Sequence, residues 1–227
     1  MHELLTAKPG SKRLLLGNEA IVRGALEAGI SFATTYPGTP SSEIGDNFYL
    51  ISQETDLYFE YSVNEKIALE LAFGACLTGA RSMCSMKHLG LNYAGDPLST
   101  MPYVGVEGGM VIVSAGDPSA ITSPNEQDQR HFSHFLYYPV FDPATVPDAL
   151  EMTRCAFELS ENTRLPVIMR PTTRVCHTSS VVELGALDLT KREVGFVKDP
   201  GRYVPIPLNV RRMRKELTQR YRLAEEL

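Results

Sequence analysis

The feature that most constrains the fold is the alternation of short apolar segments with helical segments between about residues 14 and 175. Most of the apolar segments are continuous, which is typical of parallel strands that are buried on both faces. We therefore expect an α/β fold, with a mostly parallel sheet and helices on both of its faces. The predicted strands are residues 32–36, 57–62, 82–86, 110–114 and 166–169, with a shorter sixth element around Val140.

Helices are predicted between these strands. One covers residues 18–28 and ends at Gly29, because glycine readily adopts the left-handed conformation that ends many helices. Another, at residues 64–78, is apolar on almost every side, so we expect a partner beyond its own sheet to cover it. A third, at residues 145–161, is amphipathic and is expected to be structural.

The length of 227 residues is sufficient for one sizeable α/β domain and short for two. We predict an N-terminal tail at residues 1–12, one domain at 13–180, an irregular extension with several prolines at 181–208, and a charged helix at 209–227. That last helix is expected to leave the domain and to lead to a further, downstream domain.

Composition and charge argue against several classes of function. The net charge of −5 disfavours non-specific nucleic-acid binding, which requires a basic surface. No apolar segment approaches the roughly 20 residues that span a bilayer, and the first residues lack the features of a signal peptide, so a cytoplasmic protein is expected. The four cysteines form no Cys-x-x-Cys pair of the kind that binds zinc or iron–sulfur clusters, so no metal site is expected in this chain.

Glu65 lies where a predicted strand meets the apolar helix, in the segment SVNEK. A carboxylate in such a place costs free energy unless a partner binds it. The alternative is an ordinary first-turn glutamate that the helix dipole stabilises, and the local sequence by itself favours that interpretation. A catalytic role for Glu65 therefore depends on support from other segments.

The segment YPGTPSSE, at residues 36–43, follows a predicted strand at the edge where open α/β sheets bind ligands. Thr39 and Pro40 predict a helix start, with the threonine as N-cap and the proline at the first helical position. Free N–H groups at a helix start can bind a carboxylate or a phosphate. Because capped helix starts also occur without a ligand, both interpretations stay open.

The segment MKHLGLN, at residues 86–92, follows another predicted strand. Lys87 or His88 can contact an anionic substrate there, and Gly90 allows close approach of the backbone. A loop with a solvated lysine and a hydrogen-bonded histidine explains the same residues equally well. A further polar cluster, at residues 116–131, is expected to cap a helix or to contact a neighbour without binding a metal.

Together these segments resemble one family, the alpha subunit of indolepyruvate ferredoxin oxidoreductase, within the wider group of 2-oxoacid:ferredoxin oxidoreductases. The resemblance covers most of residues 13–178. Gly38 is similar to the indolepyruvate type, since pyruvate and 2-oxoglutarate relatives more often have isoleucine there. The segments that carry the resemblance are GNEAI at 17–21 with Gly24 and Ala25, YPGTPSSE at 36–43, SVNEK at 62–66, MKHLGLN at 86–92, NEQD at 125–128 and RPTTRVCH at 170–177.

The resemblance implies the pyrimidine-binding domain of a thiamine diphosphate enzyme, in which a glutamate hydrogen-bonds N1′ of the aminopyrimidine ring. Glu65 is the matching position. A carboxyl group that shares its proton with N1′ favours the imino form of the ring, whose 4′ nitrogen then acts as a base. The resemblance places Glu65, Pro37, Thr39, Gly90 and Asn92 at the cofactor, and Thr39, Lys87 and His88 at the substrate.

The implied reaction is the oxidative decarboxylation of arylpyruvates to aryl-acetyl-CoA, with coenzyme A as second substrate and ferredoxin as electron acceptor. A related enzyme for pyruvate or a branched-chain 2-oxoacid is the alternative within the same class. A non-catalytic dimerisation or assembly module of the same fold is the alternative from another class.

The chain lacks the Gly-Asp-Gly magnesium motif and the cysteine clusters of the longer family members. Mg²⁺, the 4Fe-4S clusters and the diphosphate-binding domain are therefore expected elsewhere, in a downstream domain or in another chain such as a beta subunit. The cofactor of this fold lies between domains, so a homodimer or a heteromer is expected. The chain by itself is expected to be inactive.

Overall fold

The computed structural model describes residues 2–188, 190 and 192–227, which form an α/β fold. Their strands are β1 Lys12–Leu16, β2 Phe32–Thr35, β3 Tyr58–Tyr61, β4 Ser82–Lys87, β5 Met110–Ala115, β6 Val140–Phe141, β7 Val167–Met169 and β8 Ser179–Glu183. Their helices are α1 Glu3–Thr6, α2 Gly17–Glu27, α3 Ser42–Ser52, α4 Glu65–Leu77, α5 His88–Tyr93, α6 Gly95–Val104, α7 Phe132–Leu136, α8 Val146–Thr163, α9 Thr173–Cys176, α10 Pro200–Tyr203 and α11 Pro207–Glu226. Among these described residues, no helix is long and apolar enough to cross a membrane.

One sheet has the strand order β3-β2-β4-β5-β7-β6, and every neighbouring pair in it is parallel. The five predicted strands are confirmed, and the shorter sixth element is β6 at one edge of the sheet. The predicted fold class, a parallel sheet with helices on both faces, is confirmed as well.

Two apolar cores lie on the two faces of this sheet. Helices α2, α3 and α8 cover one face, and α4, α5 and α6 cover the other. Successive residues of a strand point to opposite faces, so Val111 of β5 contributes to the first core and Ile112 to the second. Both faces are therefore apolar, which explains why the strands read as continuous apolar segments.

Helix α2 begins where the backbone comes into direct contact with α9. A side chain at Gly17 would overlap the carbonyl oxygen of Val175, so only glycine fits there. The carboxylate of Glu19 accepts a hydrogen bond from Leu16 N at 2.8 Å and caps the helix. Gly29, just after the helix, has a φ of +69°, as predicted for a glycine that ends it.

The helix start predicted at Thr39 is wrong, because α3 begins at Ser42. Thr39 and Pro40 instead form a turn before the helix, and the peptide bond between them is cis. The Pro40 carbonyl, which would accept a backbone hydrogen bond inside a helix, accepts one from the Asn18 side chain at 2.7 Å. Thr39 therefore lies outside α3, and the free N–H groups of α3 begin beyond it.

Strands β1 and β8 form a small antiparallel sheet that the sequence pattern did not predict. Leu15 and Val182 are buried, whereas Leu14 and Val181, which face each other across the two strands, are exposed. Each strand is short, and its partner is almost the whole domain away in the sequence. The domain boundary predicted at residue 180 stays a prediction, although β8 extends across it.

Helix α11 packs against α6 and α8, and its role as a link to a downstream domain stays a prediction. Met213 and Leu217 are buried against the domain. Arg220 donates hydrogen bonds to the carbonyl oxygens of Pro102 and Tyr103, both at 3.0 Å, and so satisfies the last turn of α6. Burial lowers the pKa of Arg220 to about 10, and the side chain stays charged at neutral pH.

We expect a Leu217→Ala substitution to lower the free energy of unfolding by about 2–5 kcal/mol, because it leaves a cavity under α11. Urea denaturation of the chain measures the change. Leu208→Ala is the matched control, since Leu208 lies on the same helix but is 82% exposed, and its effect should stay below about 0.5 kcal/mol. Equally small effects for both substitutions would contradict the packing of α11 on the domain.

Candidate functional site

The carboxyl ends of β2 and β4 define the place where the sheet can bind a ligand. The chain that leaves β2 continues into α3 on one face, whereas the chain that leaves the neighbouring β4 continues into α5 on the other face. Such a divergence opens a crevice beyond the strand ends, and open α/β sheets bind ligands in that crevice. Segments 36–43 and 86–92 line it.

Glu65 lies beside this crevice at the start of α4. Asn64 is the N-cap, and its Oδ1 accepts a hydrogen bond from Ile67 N at 2.9 Å. Glu65 is thus the first helical residue, where the helix dipole stabilises a negative charge. Its side chain is half-buried, and its carboxylate makes no hydrogen bond or ion pair within the described residues. The carboxylate is therefore available to an external partner.

Two glycines bring the three predicted segments into contact. A Cβ atom at Gly90 would lie 2.5 Å from Cγ of Glu65 and 2.9 Å from the sulfur of Met86, closer than real Cβ atoms come. A Cβ atom at Gly38 would lie 3.0 Å from Cβ of Lys87. The absence of side chains at these two positions therefore allows α5 to touch Glu65 and the turn after β2 to touch β4.

The surroundings of Glu65 are largely apolar. Cys84 and Met86, from β4, are fully buried beside it. Burial, together with the nearby Glu65 carboxylate, raises the pKa of the Cys84 thiol to about 12. Cys84 therefore stays protonated and is not a nucleophile.

The turn after β2 presents a second free polar group. Pro37 and Thr39 are both exposed, and the Thr39 hydroxyl makes no hydrogen bond within residues 2–188, 190 and 192–227. Thr39 thus resembles Glu65 in having a polar side chain without an internal partner. Both residues come from segments at the same edge of the sheet.

Lys87, His88 and Asn92 all contact the loop at residues 117–128. Lys87 Nζ donates to the carbonyl of Thr122 at 2.9 Å, and Asn92 Nδ2 donates to Gln127 Oε1 at 3.0 Å. His88 is fully buried, with Nε2 at 3.2 Å from the carbonyl of Asn125 and Nδ1 unpartnered among the described atoms. These contacts hold the loop next to the crevice.

Asp117 anchors the same loop at its start. Its carboxylate accepts hydrogen bonds from Ser123 Oγ at 2.5 Å, from Thr122 N at 2.8 Å and from Thr173 Oγ1 at 2.8 Å. Burial opposes the ionisation of Asp117, but these hydrogen bonds outweigh it and hold its pKa below the ordinary value. The sequence indicated only a polar cluster here. The hydroxyl residues five and six positions after the aspartate were the signal for a loop that folds back on it.

Histidines and cysteines do not form a metal centre in the described part of the chain. No group of three His, Cys, Asp or Glu side chains there is arranged to hold a metal ion. His131 lies 4.0 Å from Asp128, but its ring is largely exposed. The polar groups available to a ligand at the crevice are therefore the side chains of the segments already described.

Comparison with protein families gives one match over most of the chain. The family described as pyruvate flavodoxin/ferredoxin oxidoreductase, thiamine diphosphate-binding, matches residues 23–213. A similar relative is the indolepyruvate oxidoreductase subunit IorA of Methanothermobacter thermautotrophicus, which is 47% identical over 220 residues. That alignment covers 97% of this chain and 36% of the relative. The IorA subunit of Pyrococcus abyssi is 49% identical over 209 residues, covering 90% of this chain and 32% of the relative.

More distant relatives share the fold. The 2-oxoglutarate synthase subunit KorA of Methanothermobacter thermautotrophicus is 28% identical over 199 residues, covering 83% of this chain and 52% of the relative. A solved structure of 2-oxoglutarate:ferredoxin oxidoreductase from Magnetococcus marinus, with 2-oxoglutarate, coenzyme A and succinyl-CoA bound, matches with a TM-score of 0.78 at 16% identity. It covers 97% of this chain and 46% of the other. The chain thus spans about a third of the length of the IorA relatives.

We expect Gly90→Ala to lower the free energy of unfolding by about 1–3 kcal/mol, because the added methyl group would overlap Glu65 and Met86. Thermal or urea denaturation measures this change. Gly74→Ala is the control: it also adds a methyl group to a helix, but into open space, and should raise stability by up to about 1 kcal/mol. A neutral or stabilising effect at position 90 would mean that α5 does not press on Glu65.

Proposed function

Because the chain belongs to the thiamine diphosphate-binding family of pyruvate flavodoxin/ferredoxin oxidoreductases, we propose that Glu65 activates thiamine diphosphate in an enzyme that oxidatively decarboxylates arylpyruvates. The observation that carries the proposal is the carboxylate of Glu65, which has no partner within the described residues and lies next to the crevice between β2 and β4. The proposed enzyme is a member of the 2-oxoacid:ferredoxin oxidoreductase group.

The residues around Glu65 fit the pyrimidine end of this cofactor. An aminopyrimidine needs a carboxyl group for N1′, and the half-buried carboxylate of Glu65 supplies it. Thiamine diphosphate, when bound, supplies the nucleophilic carbon and the electron sink that decarboxylation of a 2-oxoacid requires. Gly90 and Asn92, on the helix that contacts Glu65, and Pro37, at the turn, are the further proposed cofactor contacts.

The proposed role of Glu65 is to hold a proton between its carboxyl oxygen and N1′. With the cofactor bound, that hydrogen bond would favour the imino form of the ring. The backbone of Glu65 is held by the capped start of α4, and its Cγ lies close to Gly90. These contacts limit the positions that the carboxyl group can take before the cofactor binds.

The residues proposed to contact the substrate are Thr39, Lys87 and His88. In the present structure each of them has different surroundings. The Thr39 hydroxyl is exposed and free among the described residues, so it can bind a substrate directly. The Lys87 ammonium can exchange the carbonyl of Thr122 for a substrate carboxylate, which gives a stronger, charge-assisted hydrogen bond. His88 is buried behind the loop and can reach a substrate only if the loop moves.

Other parts of the enzyme must complete the site. Helix α4 supports this proposal, since its apolar residues Ile67, Leu71 and Phe73 are only half-buried in the described chain. A diphosphate-binding domain, Mg²⁺, iron–sulfur clusters, a beta subunit and ferredoxin are proposed as the remaining parts, with coenzyme A as second substrate. The complete enzyme is proposed to be a homodimer or heteromer, and the chain by itself to be inactive.

Arylpyruvates are proposed because the relatives with 44–49% identity are indolepyruvate oxidoreductase subunits. Pyruvate and branched-chain 2-oxoacids remain the alternative substrates, and kcat/KM values of the complete enzyme for the three classes would distinguish them. A non-catalytic assembly module is the alternative of another class. In such a module Glu65 would only stabilise the start of α4 through the helix dipole, and its substitution would not affect turnover of the complete enzyme.

We expect Glu65→Gln in the complete enzyme to reduce kcat by about 10²- to 10⁴-fold at saturating thiamine diphosphate, the usual contribution of a positioned acid–base group. Glu70→Gln is the matched control, because Glu70 lies on the same helix but is exposed, and it should change kcat less than about twofold. Thermal denaturation shows whether both variants fold. Near-normal turnover of the Glu65 variant would overturn the proposed function.

A further inference from the structure

Three residues that the proposed chemistry does not use meet beside the turn that carries Thr39. They are Asn18 from the first turn of α2, Glu43 from the first turn of α3, and His177 from the end of α9. The three residues are distant in the sequence, so their meeting is a property of the fold.

Asn18 joins the turn to α3 with a single amide group. Its Nδ2 donates one hydrogen bond to the carbonyl of Pro40 at 2.7 Å and one to Oε2 of Glu43 at 2.6 Å. Asn18 is completely buried, and Pro40 is buried too. Loss of either acceptor would leave a buried N–H without a partner, which costs more than an exposed hydrogen bond contributes.

The position of Asn18 is itself fixed by its neighbours. Gly17 lies against the carbonyl of Val175 so closely that no side chain fits between them. Glu19 caps the backbone of Leu16 on the other side. The backbone around Asn18 therefore cannot shift without breaking the contact between α2 and α9.

His177 contributes much less than Glu43 to this arrangement. Its Nε2 lies 3.6 Å from Oε2 of Glu43, and the two side chains are 37% and 42% exposed. Solvent screens an ion pair of that kind, so its contribution to stability is small. The strong contacts are the two hydrogen bonds of Asn18, and we name Asn18 and Glu43 together the turn clamp.

The turn clamp acts on one end of the turn, and a second contact acts on the other end. Ser41 donates from both its amide and its hydroxyl to the carbonyl of Gly38, each at 2.9 Å. Thr39 lies between Gly38 and Pro40, so its backbone is held on both sides while its side chain projects to solvent. A fixed backbone with a free hydroxyl is what a substrate-binding threonine requires.

We propose that Asn18 and Glu43 are positioning residues, which hold the Pro40 carbonyl and thereby fix the direction of the Thr39 hydroxyl. The inference rests on the proposed function in one respect, that Thr39 contacts the 2-oxoacid. The fixing of the turn does not depend on that function. The two parts of the inference are therefore tested by separate measurements on the complete enzyme.

Hydrogen–deuterium exchange of the backbone between residues 37 and 44 tests the fixing of the turn. Asn18→Ala is expected to speed the exchange of the Ser41 amide about tenfold, because the Pro40 carbonyl loses its partner. Glu43→Ala should act in the same direction, and it decides the question if Asn18→Ala does not fold. Glu43→Gln keeps an oxygen that can accept from Asn18 and should restore slow exchange. Unchanged exchange in folded variants would overturn the turn clamp.

Steady-state kinetics test the link to Thr39. Asn18→Ala is expected to raise KM for the 2-oxoacid about tenfold with little change in kcat, as for lost uniform binding. In a Thr39→Val background the same substitution should change KM less than about twofold, because residues that act through one group are not additive. His177→Gln is the control and should leave KM within about twofold, since its contact is screened.

The outcomes separate this inference from the proposed function. Equal effects of Asn18→Ala on KM with and without Thr39 would overturn the link to Thr39, even if exchange of the turn is faster. Full turnover of the Glu65→Gln variant would overturn the proposed function. The turn clamp would then still be tested by the hydrogen–deuterium exchange of the turn. A fall in thermal stability with unchanged exchange and KM would show that Asn18 is only structural.

Discussion

The contacts among Glu65, the turn at Thr39 and α5 depend on the parallel alignment of β2, β3 and β4, because parallel strands bring their carboxyl ends to one edge of a sheet. The segments after these strands are far apart in the sequence, and only this edge brings them together. Alternate residues of these strands are buried in two separate apolar cores, and close packing in both cores stabilises the alignment.

Close packing at this edge leaves two polar groups free. Gly90 allows α5 to press on the Glu65 side chain, and Gly38 allows the turn after β2 to press on Lys87. The carboxylate of Glu65 and the hydroxyl of Thr39 are positioned by these contacts, yet neither has a partner among the described residues. Both groups are therefore available to a ligand that binds at this edge of the sheet.

The sequence predicted those parts of the fold that short-range patterns determine. Buried parallel strands read as continuous apolar segments, so the six strands of the main sheet could be located, including β6. The β1–β8 sheet could not be, because its strands are short and their pairing is non-local. The packing of α11 on the domain could not be predicted either, because it depends on long-range hydrogen bonds from Arg220 to carbonyl groups of α6.

At the site, the residue types indicated which segments are involved, but the local sequence did not predict the backbone conformation of those segments. Thr39 and Pro40 have the sequence of a helix start, but the long-range hydrogen bond from Asn18 takes the carbonyl that a helix would need. Contacts of Lys87 and His88 with the loop after β5 were not predicted either, because they join two segments about 35 residues apart. The site roles of Glu65, Pro37, Thr39, Gly90, Asn92, Lys87 and His88 come from a resemblance between motifs and remain proposals.

The central claim is that the Glu65 carboxyl group binds N1′ of the aminopyrimidine ring. A crystal structure of the complete enzyme with thiamine diphosphate bound tests it most directly, through the distance between the nearest Glu65 oxygen and N1′. We predict a distance of about 2.5–3.2 Å, the range of a hydrogen bond. A separation beyond about 4 Å, or a different carboxylate at N1′, would contradict the claim.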